Sequence, residues 1–155
     1  MNRMSIPDSD RDLDPYFLRS KMEMKENTAI NALIIDDDID TCVLLSRILV
    51  ENKIKSHSVN TLHDAENIFE FVNPALIFLD NNLPDGYGLN FLLYIKEKLP
   101  GAQIVMLTAH ISEQNKRTAK LNGAEYFIEK PFTSNDIHNV LHTISGNDMA
   151  YEPVK

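Results

Sequence analysis

Apolar positions from residue 31 onward fall into two alternating rhythms. Unbroken apolar runs at "ALII" (32–35), "ALIFL" (75–79), "QIVML" (103–107) and "EYFI" (125–128) have the length and composition of strands buried on both faces. The mixed run "KIKSHSV" (53–59) reads as an edge strand. Between these runs lie helical patterns. One spans about 39–52, and a weaker one, about 61–72, carries Leu62, Ala65, Ile68 and Phe69 with Thr61 as its cap. Leu89, Leu92, Leu93 and Leu99 mark a third, stopped by Pro100-Gly101. The stretch 112–121 is almost wholly polar and predicts a poorly packed helix at best. Ile137, Val140, Leu141 and Ile144 recur at i, i+3, i+4 and i+7, with Thr133 placed to cap against Asp136 and an end near Gly146.

Five strands alternating with five helices of this length predict parallel pairing with right-handed crossovers, a (βα)5 three-layer α/β sandwich. Residues 1–28 are polar with little periodicity beyond "YFLRSKM" and read as a mobile N-terminal extension, followed by a domain over 29–147 and a tail at 148–155. Met22 and Met24 offer alternative starts of translation. Nothing after residue 147 reads as an effector domain, so the pattern is that of a stand-alone domain.

Composition narrows the function. An apolar fraction of 43% and a charged fraction of 25% are those of a soluble globular chain. No apolar run reaches the length of a membrane span, and the N-terminus lacks a signal core. The single cysteine, Cys42, excludes an internal disulfide framework, fits a cytoplasmic setting, and sits in an apolar helical pattern that predicts burial. A net charge of −8 argues against direct nucleic-acid binding. Most of it lies beyond residue 28, because residues 1–28 carry six acids and five bases. A cationic ligand or partner is favoured there.

In open parallel sheets, ligands gather at the carboxyl ends of the strands. Here the first strand runs into Asp36, Asp37 and Asp38, the third into Asp80, the fourth into Thr108 and the fifth into Lys130-Pro131. Each has a dull explanation. Asp80 and Asp38 suit a loop or helix cap, Thr108 a turn, and Lys130 a solvated surface. Together they make a chemical set. Converging carboxylates repel and raise one another's pKa, and a hard divalent cation such as Mg²⁺ relieves that repulsion. A carboxylate held near such a cation and an ammonium, beside a hydroxyl, is equipped to attack a phosphoryl group.

The ordered set "IIDDD", "LDNNLPDGYG", "MLTA" and "EKPF" resembles the response-regulator receiver domain of two-component signalling over about residues 30–147. The resemblance implies a flavodoxin-like sheet of order 2-1-3-4-5. It makes Asp80 the phospho-acceptor and Asp36 and Asp37 the acidic pair, Asp37 touching Mg²⁺ directly and Asp36 through water. The backbone carbonyl of Asn82 completes the protein ligands. Thr108 and Lys130 stabilise the phosphoryl group, Thr108 and Phe127 form the switch, and the Lys130–Pro131 bond is cis. Phe127 stands where the family's aromatic is often Tyr, which keeps the ring and loses the hydroxyl.

Implied partners are a sensor histidine kinase or phosphotransfer protein and a downstream protein target, with no direct nucleic acid and no membrane. Such a domain catalyses only its own phosphorylation and dephosphorylation. The rival of a different class is a receiver-like interaction module that never uses phosphate; such modules typically lack the acidic pair, the acceptor or the lysine. A haloacid-dehalogenase-type phosphatase fits less well. Asp40 stands where its Asp-x-Asp motif needs Thr or Val, and there is no room for a cap domain. An EF-hand loop starting at Asp36 fails with Thr41 at the glycine position and Arg47 at the bidentate acid. No Gly-rich loop follows the first strand, which disfavours a nucleotide-binding fold. The five histidines lie outside any four-helix context suited to phosphate donation.

Overall fold

The computed structural model describes residues 30–146. The expected extension at 1–28 and tail at 148–155 lie outside the described residues. Five strands, β1 (Asn31–Ile35), β2 (Lys55–Val59), β3 (Leu76–Asp80), β4 (Gln103–Thr108) and β5 (Tyr126–Glu129), pair in parallel in the order β2-β1-β3-β4-β5. They alternate with α1 (Ile39–Glu51), α2 (Leu62–Val72), α3 (Gly88–Lys98), α4 (Glu113–Leu121) and α5 (Ser134–Ser145). This is the expected (βα)5 sandwich, with β2 at one edge, as its mixed sequence predicted, and β5 at the other.

Burial explains why the strand runs are apolar without alternation. Every residue of β3 is buried, because helices cover both faces of the sheet. One core, with Ile34, Phe78, Val105 and Ile128 from the sheet, packs under α1 and α5. The other, with Leu33, Ile77, Leu79 and Ile104, packs under α2, α3 and α4. Cys42 lies in the first core, as its pattern predicted. Burial, followed by the charges of Asp36 and Asp38, pushes its thiol up to about 11.

Local chemistry sets the helix ends. Thr61 accepts from the Asp64 N–H at the start of α2, and Thr133 and Asp136 form a reciprocal capping box on α5. Two features depart from expectation. The buried face of α3 is Gly88, Phe91, Leu92 and Ile95, which leaves Leu93 63% exposed. Between β3 and α3, the Pro84-Asp85 turn joins a small antiparallel ladder, pairing Asn82 with Tyr87 and Leu83 with Gly86.

Candidate functional site

All the predicted polar groups of the sheet arrive at its carboxyl edge. Asp36 follows β1, Asp80 and Thr108 end β3 and β4, and Lys130 follows β5. Backbone hydrogen bonds fasten the edge together. Asp36 N–H donates to Val59 O, Asn81 N–H to Leu107 O, and Lys130 N–H to Thr108 O at 2.8 Å. Strand register therefore fixes where the side chains start, and the Lys130–Pro131 bond is cis, as the resemblance implied.

Asp36 is wholly buried at 0% exposure, and both of its oxygens are bonded. Oδ1 accepts from the Asp38 N–H at 2.9 Å, and Oδ2 accepts from Lys130 Nζ at 2.6 Å. Lys130 Nζ also lies 3.5 Å from Asp80 Oδ1, so one ammonium serves two carboxylates. Asp37 is exposed at the mouth of the site. Each of Asp36, Asp37 and Asp80 offers a carboxylate oxygen, and these atoms lie within 4.8 Å of one another.

Electrostatics follow from that crowding. Asp80 is 6% exposed, and its carboxyl is raised from 3.8, first by burial and then by the charge of Asp36. Lys130 and the Asn82 N–H only partly offset this. Burial alone would lower the Lys130 ammonium. The hydrogen bond and charge of Asp36, followed by the charge of Asp80, overcome it and raise the group above 10.5.

The donor set is one of hard oxygens with excess negative charge, the composition that suits Mg²⁺. Asn82 is exposed in the small ladder two residues past Asp80, and its N–H bonds the Asp80 carboxylate. Thr108 is 2% exposed, and its hydroxyl donates to His110 O at 2.9 Å, a contact within its own loop. Phe127 is half-buried against the second core, with Lys116 Nζ 5.5 Å and Lys120 Nζ 6.0 Å from its ring centroid.

Of the capping roles weighed for the edge residues, that of Asp38 holds and that of Asp80 falls to its neighbour. Asp38 caps α1, accepting from the Asp40 N–H and the Thr41 hydroxyl. Asn81, not Asp80, serves α3, its Oδ1 accepting from the Leu89 N–H at 3.1 Å and its carbonyl from the Gly88 N–H at 2.8 Å. Asp80 is thereby left to face Lys130.

Sequence reasoning missed three supports. A Cβ on Gly88 would overlap the Asp80 carbonyl oxygen, so only glycine lets α3 begin this close to the β3 end. Asn60 Nδ2 donates to Asp36 O at 2.9 Å. Asp85 bonds across to α2. The glycine was visible in "DGYG"; the two side-chain contacts join residues more than twenty positions apart and left no local signal.

Comparison with known proteins agrees with this geometry. The family model described as the response regulator receiver domain matches residues 32–142. The photosynthetic apparatus regulatory protein RegA of Rhodobacter capsulatus is 30% identical over 109 residues, covering 70% of this chain and 59% of that protein. The chemotaxis protein CheY of Listeria monocytogenes is 29% identical over 118 residues, covering 72% of this chain and 95% of that one. A CheY-like response regulator receiver domain protein from Methanospirillum hungatei JF-1 has the same fold, with a TM-score of 0.72 at 23% identity, covering 77% of this chain and 96% of that one. This chain belongs to the response regulator receiver domain family.

Proposed function

We propose that this receiver domain accepts a phosphoryl group on Asp80 from the phosphohistidine of a sensor histidine kinase or phosphotransfer protein in the cytoplasm. It then signals through a protein-binding surface that responds to the modification. The observation that carries this reading is the ammonium of Lys130, 2.6 Å from Asp36 and 3.5 Å from Asp80 in a cluster of three carboxylates. The phosphate-independent reading calls for one of these groups to be missing, and none is.

The division of labour follows from burial. Asp36, wholly buried with both oxygens bonded, is a fixed negative post that orients Lys130 and, as the resemblance implies, would reach a cation through water. Asp37 and the Asn82 carbonyl would complete the ligands with Asp80. A Mg²⁺ held there would neutralise charge on the oxygens of the transferring group. An Asp80 oxygen forms the new P–O bond as the P–N bond to the donor imidazole breaks, and that imidazole takes its proton from solvent. Lys130 holds an oxygen of the transferred group, moving little from its resting contact with Asp80.

Thr108 connects the site to the surface. A phosphoryl oxygen on Asp80 competes with the His110 carbonyl for the Thr108 hydroxyl. Drawing that hydroxyl inward leaves room for the Phe127 ring, which responds through packing alone. The output face is then α4, β5 and α5, with coupling between phosphate and partner that is reciprocal.

The test is chemical. The protein is incubated with a small phosphodonor and Mg²⁺, trapped with borohydride and mapped by mass spectrometry. Label is expected on Asp80 alone and is absent from Asp80→Asn. Label on another residue, or label that survives Asp80→Asn, overturns the reading.

A further inference from the structure

The loop that follows the acceptor is anchored at two ends, and only one anchor belongs to the site described above. At its base, Asn81 and Gly88 tie it to β4 and α3 through the Asn81 N–H to Leu107 O and the Gly88 N–H to Asn81 O. At its tip, Asp85 reaches the first turn of α2. Its Oδ1 accepts from the Leu62 N–H and its Oδ2 from the His63 N–H, each at 3.0 Å. Thr61 accepts from the next N–H, that of Asp64. The open donors of the α2 N-terminus are thus shared between a cap from its own segment and a carboxylate from the acceptor loop. Gly86 packs below the same turn, where an added Cβ would stand 3.1 Å from Leu62 Cδ1.

Asn82 lies between the two anchors, paired with Tyr87 in the two-rung ladder and bonded through its N–H to the Asp80 carboxylate. α2 is a stiff post, because Ala65, Phe69 and Val72 bury its inner face in the core. We infer that Asp85 is a positioning residue for the cation site: by clamping the loop tip to α2, it holds the Asn82 carbonyl where it can act as a ligand. This inference rests on the reading of Asp36, Asp37, Asp80 and Asn82 as Mg²⁺ ligands. Asp85 itself is exposed and lies outside the cluster of three carboxylates. Without the clamp, the ladder of two short strands has one support in place of two. Two-stranded ribbons of this size do not hold themselves rigid.

The experiment is a Mg²⁺ titration of the full chain followed by amide shifts at residues 36–38 and 80–82. It compares the native protein with Asp85→Ala, Asp85→Asn and Thr61→Ala. Asp85→Ala should weaken Mg²⁺ binding by roughly three- to tenfold, below the ~10–100-fold seen for groups bonded directly to a ligand. Asp85→Asn removes the same charge but keeps one acceptor for α2, so its loss should be clearly smaller. Thr61→Ala weakens the same helix end without touching the loop and should leave Mg²⁺ affinity unchanged. Equal losses in Asp85→Asn and Asp85→Ala would assign the effect to charge and overturn the inference. So would native affinity in Asp85→Ala, or a matching loss in Thr61→Ala. If Asp85→Ala does not fold, Asp85→Asn set against Thr61→Ala decides. Failure of the native chain itself to bind Mg²⁺ would instead overturn the reading of the site, and the inference with it.

Discussion

At Asp80 the fold holds a carboxylate that solvent barely reaches, next to a second buried acid. Burial and then the charge of Asp36 raise its pKa above 3.8. A carboxyl raised on folding contributes stability that is fully present below its unfolded value, and that contribution is lost as pH rises through the folded value. At neutral pH, ionised Asp80 therefore works against the fold. Asp80→Asn should raise the melting temperature at pH 7, by about 3–5 °C on the scale of ~1 kcal/mol for such a domain, and the gain should fade toward pH 4. Lys130→Met should do the reverse. It strands Asp36, and the loss should be roughly 2–4 kcal/mol, under the ~3–5 of a fully buried pair because 21% of the lysine side chain is exposed. Thermal melts of both variants across pH 4–8 check the two signs. A destabilised Asp80→Asn at pH 7 would mean that Lys130 outweighs burial and Asp36 at this position.

Among the elements, α4 stands apart. Ala119 is its one buried residue, whereas α1 buries Thr41, Cys42, Leu45, Ile48 and Leu49. The all-polar stretch at 112–121 made this legible in the sequence, as unbroken apolar runs did for β1, β3 and β4. Caps at Thr61 and Thr133 were legible because they act within four residues. What was not legible depends on direction or distance. Leu89, Leu92, Leu93 and Leu99 marked this helix, but it turns Phe91 and Ile95 inward and Leu93 outward, a choice made by the sheet beneath it. The site edge could be assembled from the strand ends because parallel strands bring their carboxyl termini together. The Asp85 clamp and the two lysines over Phe127 arise from folding alone. Little apolar burial predicts easy local opening. Amide hydrogen exchange in α4 should therefore be at least about tenfold faster than in α1, and equal protection of the two helices would remove α4 as the mobile part of the switch.

On the scale of the whole molecule, two cores lie on opposite faces of one sheet, and the site sits at the sheet's carboxyl edge where both end. Asp36 follows Ile35 and Asp80 follows Leu79, both of the second core, and Lys130 stands two residues past Ile128 of the first. The sheet as a unit therefore positions these three side chains, whereas the loop that carries Asn82 is also tied to α2 and α3. Ile30 already packs against the first core, and among the described residues, 30–146, the five-stranded sheet, both cores and all candidate ligands are complete. A variant beginning at Met24 should accordingly melt within about 2 °C of the full chain, a difference of roughly 0.5 kcal/mol. Its phosphorylation rate with a small donor should be unchanged. Paired melts and initial-rate measurements test this together. A truncated chain that melts normally but accepts phosphate slowly would place a contribution to the site in residues 1–23. One that fails to fold would show that these two cores are not sufficient.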